Sequence, residues 1–161
     1  MKNKIALVSL ALVAFGTVST VNTKPAFSQT TSICPSSPLP TGWVVTGIFT
    51  SFTQCGNSNS FNNMRTITRA DGNSSLNICP SSPVPTGWVV TGIFTSFTQC
   101  GNSNSFNNMR TIKRADGNSS LNICPSSPVP TGWVVIGTFT SSTQCGNSNS
   151  FNNMRTIKRL F

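Results

Sequence analysis

Residues 79–114 read CPSSPVPTGWVVTGIFTSFTQCGNSNSFNNMRTIKR, and this stretch decides the fold. Its first segment, Cys79 to Gly87, holds three prolines and a glycine. Proline lacks an N–H and its ring clashes with the preceding helical turn, so this segment is extended or turning backbone. Trp88 to Cys100 is rich in Val, Ile, Thr, Phe and Trp, the side chains that suit a pleated surface, with Gly92 marking a bulge or bend near its middle. Gly101 to Asn108 is a turn cluster, and Met109 to Arg114 reads as a second strand. No segment here or in the copies described next carries apolar residues at helical spacing. The expected class is all-β, a hairpin or small meander per unit.

Working outward, the same text occurs three times at a period of about 45 residues. Between 34–69 and 79–114 only Leu39/Val84 and Thr68/Lys113 differ, so identity among the copies reflects duplication and does not single out functional positions. The expected organisation is a leader over 1–28, an N-terminal segment over 29–33, repeats over 34–69, 79–114 and 124–161, and linkers over 70–78 and 115–123. The linker text ADGNSSLNI is short and polar, which favours independent units with some contact. The third copy differs from the second at Ile136, Thr138 and Ser142, where Thr91, Ile93 and Phe97 stand. All three fall on one parity of the strand, so strict alternation assigns Trp88, Val90, Gly92 and Phe94 to the core side.

Lys2 and Lys4 followed by the uncharged run Ile5 to Phe15 and a polar stretch ending in Ala26-Phe27-Ser28 have the order of a secretory signal peptide, with cleavage expected after Ser28. The apolar run is well short of the roughly 20 residues that span a bilayer. No second run of that length follows, so a secreted or periplasmic product without a membrane span is expected once the leader is removed.

The six cysteines fit export. Pairing Cys34 with Cys55, Cys79 with Cys100 and Cys124 with Cys145 is the scheme that gives every copy the same bond; the offset scheme would strand Cys34 and Cys145. A zinc site is disfavoured because there is no close cysteine pair and no histidine. So small a unit needs a staple, and closing a loop of about 20 residues contributes roughly 3 kcal/mol through the unfolded chain.

The composition also argues against catalysis. There is no His, Glu or Tyr, and the carboxylate side chains are Asp71 and Asp116 alone. General acid–base chemistry and the activation of hydroxyl nucleophiles draw on groups this chain lacks. No glycine-rich nucleotide fingerprint occurs, and no metal or organic cofactor is expected.

What the sequence does concentrate is positive charge. After the leader, Arg65, Arg69, Arg110, Lys113, Arg114, Arg155, Lys158 and Arg159 stand against Asp71 and Asp116, and every cation lies in an MRTIxR strand. In each copy two arginines flank an isoleucine on one strand face. Arginine forks match phosphate and carboxylate, so the expected partner is an anionic polysaccharide or other polyanion on a cell surface or in the surrounding matrix. A competing reading makes this an edge strand whose charges keep sheets from joining edge to edge. Trp43, Trp88 and Trp133, one per copy, are candidates for stacking on a ligand, with burial in the core as the plainer alternative. Tandem copies raise the apparent affinity of weak sites. Rival expectations are a structural protein of the cell envelope or extracellular space and a cationic antimicrobial or toxin-like protein acting on anionic membranes.

Overall fold

The computed structural model describes residues 29–56, 61–101, 106–146 and 153–160; the expected signal peptide lies outside the described residues. The described chain is all-β. The strands are β1 (Thr30–Ile33), β2 (Trp43–Phe49), β3 (Met64–Arg69), β4 (Ser75–Ile78), β5 (Trp88–Phe94), β6 (Met109–Arg114), β7 (Ser120–Ile123), β8 (Trp133–Phe139) and β9 (Met154–Arg159). They form three antiparallel three-stranded sheets, ordered β1-β3-β2, β4-β6-β5 and β7-β9-β8. The expected hairpin is thus present in each unit, and a third strand pairs with its second arm. That third strand comes from the text just before each first cysteine: Ser75–Ile78, within the connector, is β4.

Local chemistry explains the elements. Trp43 N donates to Pro40 O at 3.1 Å around Gly42, whose φ is +79°, a turn that needs a left-handed residue at its third position. The equivalent turns at Pro85–Trp88 and Pro130–Trp133 launch β5 and β8 with the same 3.1 Å bond. The register of β2 on β3 shifts between Val45 and Gly47, and that of β5 on β6 between Val90 and Gly92, so the mid-strand glycine does mark a bulge. This bulge breaks the alternation assumed above. Val89 and Val90, adjacent in sequence, are 0% and 1% exposed, so β5 is covered on both faces and the assignment of one core face to it does not hold.

The disulfides are Cys34–Cys55, Cys79–Cys100 and Cys124–Cys145, each closing a separation of 21 residues. Bonds of this kind form and persist in oxidising compartments such as the cell exterior or periplasm. Among the described residues no helix is long and apolar enough to cross a membrane.

The repeats are stacked rather than strung as separate units. The outer edge of β2 bonds to the second repeat. Cys79 N donates to Val45 O at 2.8 Å, Ile48 N to Gln99 O at 2.7 Å and Gly101 N to Ile48 O at 3.1 Å. Val45 N donates to Ser82 Oγ at 2.9 Å. The outer edge of β5 meets the third repeat in the same way, through Cys124, Ser127, Gln144 and Gly146. Side chains close the joins. Val45 and Ile67 of the first repeat pack in one cluster with Cys79, Cys100 and Met109 of the second, so a neighbouring repeat covers the second disulfide. A further cluster takes in Val44 and Ala70 from the first repeat, Trp88, Val90 and Ile112 from the second, and Cys124, Cys145 and Met154 from the third. A connector can be polar and short and still permit this, because the apolar surface that drives stacking lies on the repeats themselves.

Candidate functional site

The cation-bearing strands β3, β6 and β9 are central in their sheets, paired on both sides. The idea that their charges protect a free edge therefore fails, since the edges belong to other strands. Central position also fixes where each cation sits. Register divides the eight into three sets. Arg69, Arg114 and Arg159 stand directly opposite Trp43, Trp88 and Trp133. Side chains opposed in this way have Cβ atoms about 5 Å apart and interact. Arg65, Arg110 and Arg155, about 13 Å further along the strand by the usual rise per residue, stand opposite isoleucines on the flanking strand, Ile33, Ile78 and Ile123. All three are half-buried. Lys113 and Lys158, in register with Ser75 and Ser120, have the alternate parity and so point to the other sheet face.

The first set is where the structure gathers unlike groups. A groove of about 380 Å³ is lined by Trp88 and Arg114 of the second repeat, Trp133 and Arg159 of the third, and Asp71 and Asp116 from the turns after the first and second. Stacking creates it, since each of these two repeats supplies one of its two indoles and one of its two guanidinium groups. Trp88 is 6% exposed and so serves the core as well as the groove wall. Trp43 and Trp133 are half-buried.

Two arginines carry carboxylate partners. Arg69 donates from Nε and Nη2 to Asp71 Oδ2 at 3.0 and 2.8 Å, and Arg114 donates from Nε to Asp116 Oδ1 at 2.9 Å and from Nη2 to Asp116 Oδ2. Both pairs are well exposed. Hydrogen bonding from Arg114 holds the Asp116 carboxyl below the ordinary carboxylate value, with Arg159 adding a small push in the same direction. The same bond holds Arg114 above its own usual value. Asp116 thus holds one of the two groove arginines, Arg114, while Asp71 lines the groove and bonds Arg69 outside it. The Arg-x-Asp spacing at a strand end is the signal that could have indicated it.

In the Asn/Ser/Gly tract, Asn63 and Asn108 are buried and bond back to the loop after β2 and β5: their Oδ1 atoms accept from Ser51 N and Ser96 N, both at 2.7 Å. Phe52, Phe61, Phe97 and Phe106 are 78%, 76%, 65% and 76% exposed. Among the described residues no group of three or more His, Cys, Asp or Glu side chains comes together as a metal set. No protein-family model, curated protein or solved structure matches this chain.

Proposed function

We propose that this protein is an exported, non-enzymatic binder of anionic polymers, such as acidic polysaccharide at a cell surface or in its matrix. The supporting observation is that Arg114 and Arg159, from different repeats, line one groove together with Trp88 and Trp133. Guanidinium forks suit the carboxylates or phosphates of such a polymer, and indole faces suit the C–H surface of its sugars. The Arg114–Asp116 pair is compatible with this. Both members of the pair are exposed and screened by water, so a polymer anion displaces the aspartate at little cost. Arg65, Arg110, Arg155, Lys113 and Lys158 add longer-range attraction. The signal-peptide pattern over 1–28 and the three disulfides agree with work outside the cytoplasm.

The test is retention of the disulfide-intact chain on immobilised acidic polysaccharide, a sulfated heparin-like polymer and nucleic acid at low and high salt. Salt-sensitive retention that weakens in Arg114→Gln with Arg159→Gln and strengthens in Asp116→Asn supports the proposal. Retention that is absent, or indifferent to these changes, refutes it. The cross-repeat core favours a second reading, a purely structural extracellular repeat protein whose cations serve solubility, and a failed screen moves that reading to first place.

A further inference from the structure

The two joins between repeats use the same surfaces, and each surface is left over once. The outer edges of β2 and β5 are each covered by the next repeat, whereas among the described residues no such repeat covers β8. The consequence is visible in exposure: Val44 and Val45 are 0% and 2% exposed and Val89 and Val90 are 0% and 1%, but Val134 and Val135 are 36% and 45%. Ile136 is 57% exposed. At the other end the surface that receives such an edge is also open among the described residues. Cys79, Cys100, Cys124 and Cys145 are buried under the preceding repeat, while Cys34 and Cys55 are half-buried. A Cβ on Gly101 or Gly146 would meet Asn62 or Asn107 of the preceding repeat at 2.8–2.9 Å, but one on Gly56 would meet nothing within 4 Å.

We propose that the β8 edge of one molecule docks on the Cys34–Ser37 and Gln54–Gly56 surface of a second copy, continuing the repeat stack from chain to chain. The occupant follows from continuity with the internal joins: Val135 N and O and Thr138 N and O are the counterparts of the Val90 and Ile93 groups that bond to Ser127, Cys124, Gln144 and Gly146. The replacements in the third repeat preserve this edge. Thr138 keeps the β-branch, and the join uses its backbone. Gly137 keeps the small residue found at Gly92, where an added Cβ would come within 3.4 Å of the Gln144 carbonyl oxygen. Ser142 replaces Phe97, which is 65% exposed even where a join is made. Nor does the edge carry the usual protection, since β8 reads WVVIGTF, without a charge or proline. A contact of one surface with a different surface is heterologous and propagates head to tail.

Sedimentation velocity over a wide range of protein concentration tests this, with the disulfide-intact chain and two variants, Val135→Lys at one end and Ser37→Lys at the other. Both positions are part-exposed in the single molecule, so the folded circular dichroism spectrum is expected to persist. The wild type is expected to form concentration-dependent oligomers of rising mass, each variant alone to stay monomeric, and the mixture of the two to form a dimer of one of each. A monomeric wild type overturns the proposal, as does association that survives either variant. Dimerisation of Ser37→Lys alone also overturns it, because that outcome means a symmetric β8–β8 contact instead.

Discussion

Ser127 and Ser82 offer a measurement of what a join between repeats is worth, because the sequence supplies its own control. Ser127 Oγ accepts from Val90 N at 2.8 Å, and Ser82 Oγ accepts from Val45 N at 2.9 Å. Val90 and Val45 are 1% and 2% exposed, so water cannot replace the lost acceptor without opening the join. An unsatisfied buried N–H costs about 1–3 kcal/mol. Ser127→Ala and Ser82→Ala are therefore each expected to destabilise the chain by about 2 kcal/mol. For a chain of this size that corresponds to a fall of roughly 8 °C in Tm. Ser37 occupies the same place in the first repeat, where among the described residues no backbone N–H of a neighbouring repeat meets it, and Ser37→Ala is expected to change stability by no more than about 0.5 kcal/mol. Urea unfolding followed by far-UV circular dichroism, at low protein concentration so that molecules do not associate, reads all three. Equal losses for Ser37→Ala and Ser127→Ala would show that the serine acts within its own repeat and refute the reasoning. No loss at Ser82 and Ser127 would show that the joins are not closed in solution.

Further outcomes follow from other particulars. Gly101→Ala and Gly146→Ala, each at a φ near +80° and against an asparagine of the preceding repeat, are expected to cost more than Gly56→Ala, which meets only the left-handed backbone penalty of about 1–2 kcal/mol; thermal unfolding of the three variants compares them. Reduction removes three staples of roughly 3 kcal/mol each, so loss of the folded circular dichroism signal in reductant is expected, and an unchanged spectrum would contradict it. The Asp116 carboxyl, lowered mainly by its hydrogen bond from Arg114, is expected to titrate below an ordinary aspartate in an NMR pH series, with the shift reduced in Arg114→Gln. Because its folded pKa is the depressed one, its small contribution is present above the unfolded-state value and fades as pH falls through the folded value. A stability gain on acidification traced to Asp116 would contradict that sign.

Much of this fold was legible in residues that act locally. The Pro-Thr-Gly-Trp turn, the strand that follows it, the MRTIKR strand and the cysteine pairing all rest on dihedral preference or on the symmetry of the repeat. Ser75–Ile78 was not legible, because four residues following Asp71-Gly72 have no period to read and become a strand only against β6 of the next unit. The alternation argument failed at Gly92, where a bulge resets which side each residue faces, and at Val89, whose second face is covered by another repeat. The candidate site was half legible. The cations and tryptophans were identifiable by type, but their sorting into three sets depends on register. The meeting of Arg114 with Arg159 depends on stacking, which no single repeat encodes by itself.

The placement of β4 in the connector makes the spatial unit and the textual unit run out of phase. The sequence repeats from the first cysteine of one copy to the first cysteine of the next, while a sheet is assembled from β4, β5 and β6, so the piece of chain that completes the second and third sheets is written at the tail of the preceding copy. With a strictly periodic text the phase is immaterial to growth. Inserting one period of about 45 residues at any point supplies one more sheet and one more join, and leaves the terminal surfaces as they were. The length of such a molecule can change in whole steps without any new surface being devised, whereas a chain cut between its textual copies begins with a sheet that lacks its first strand.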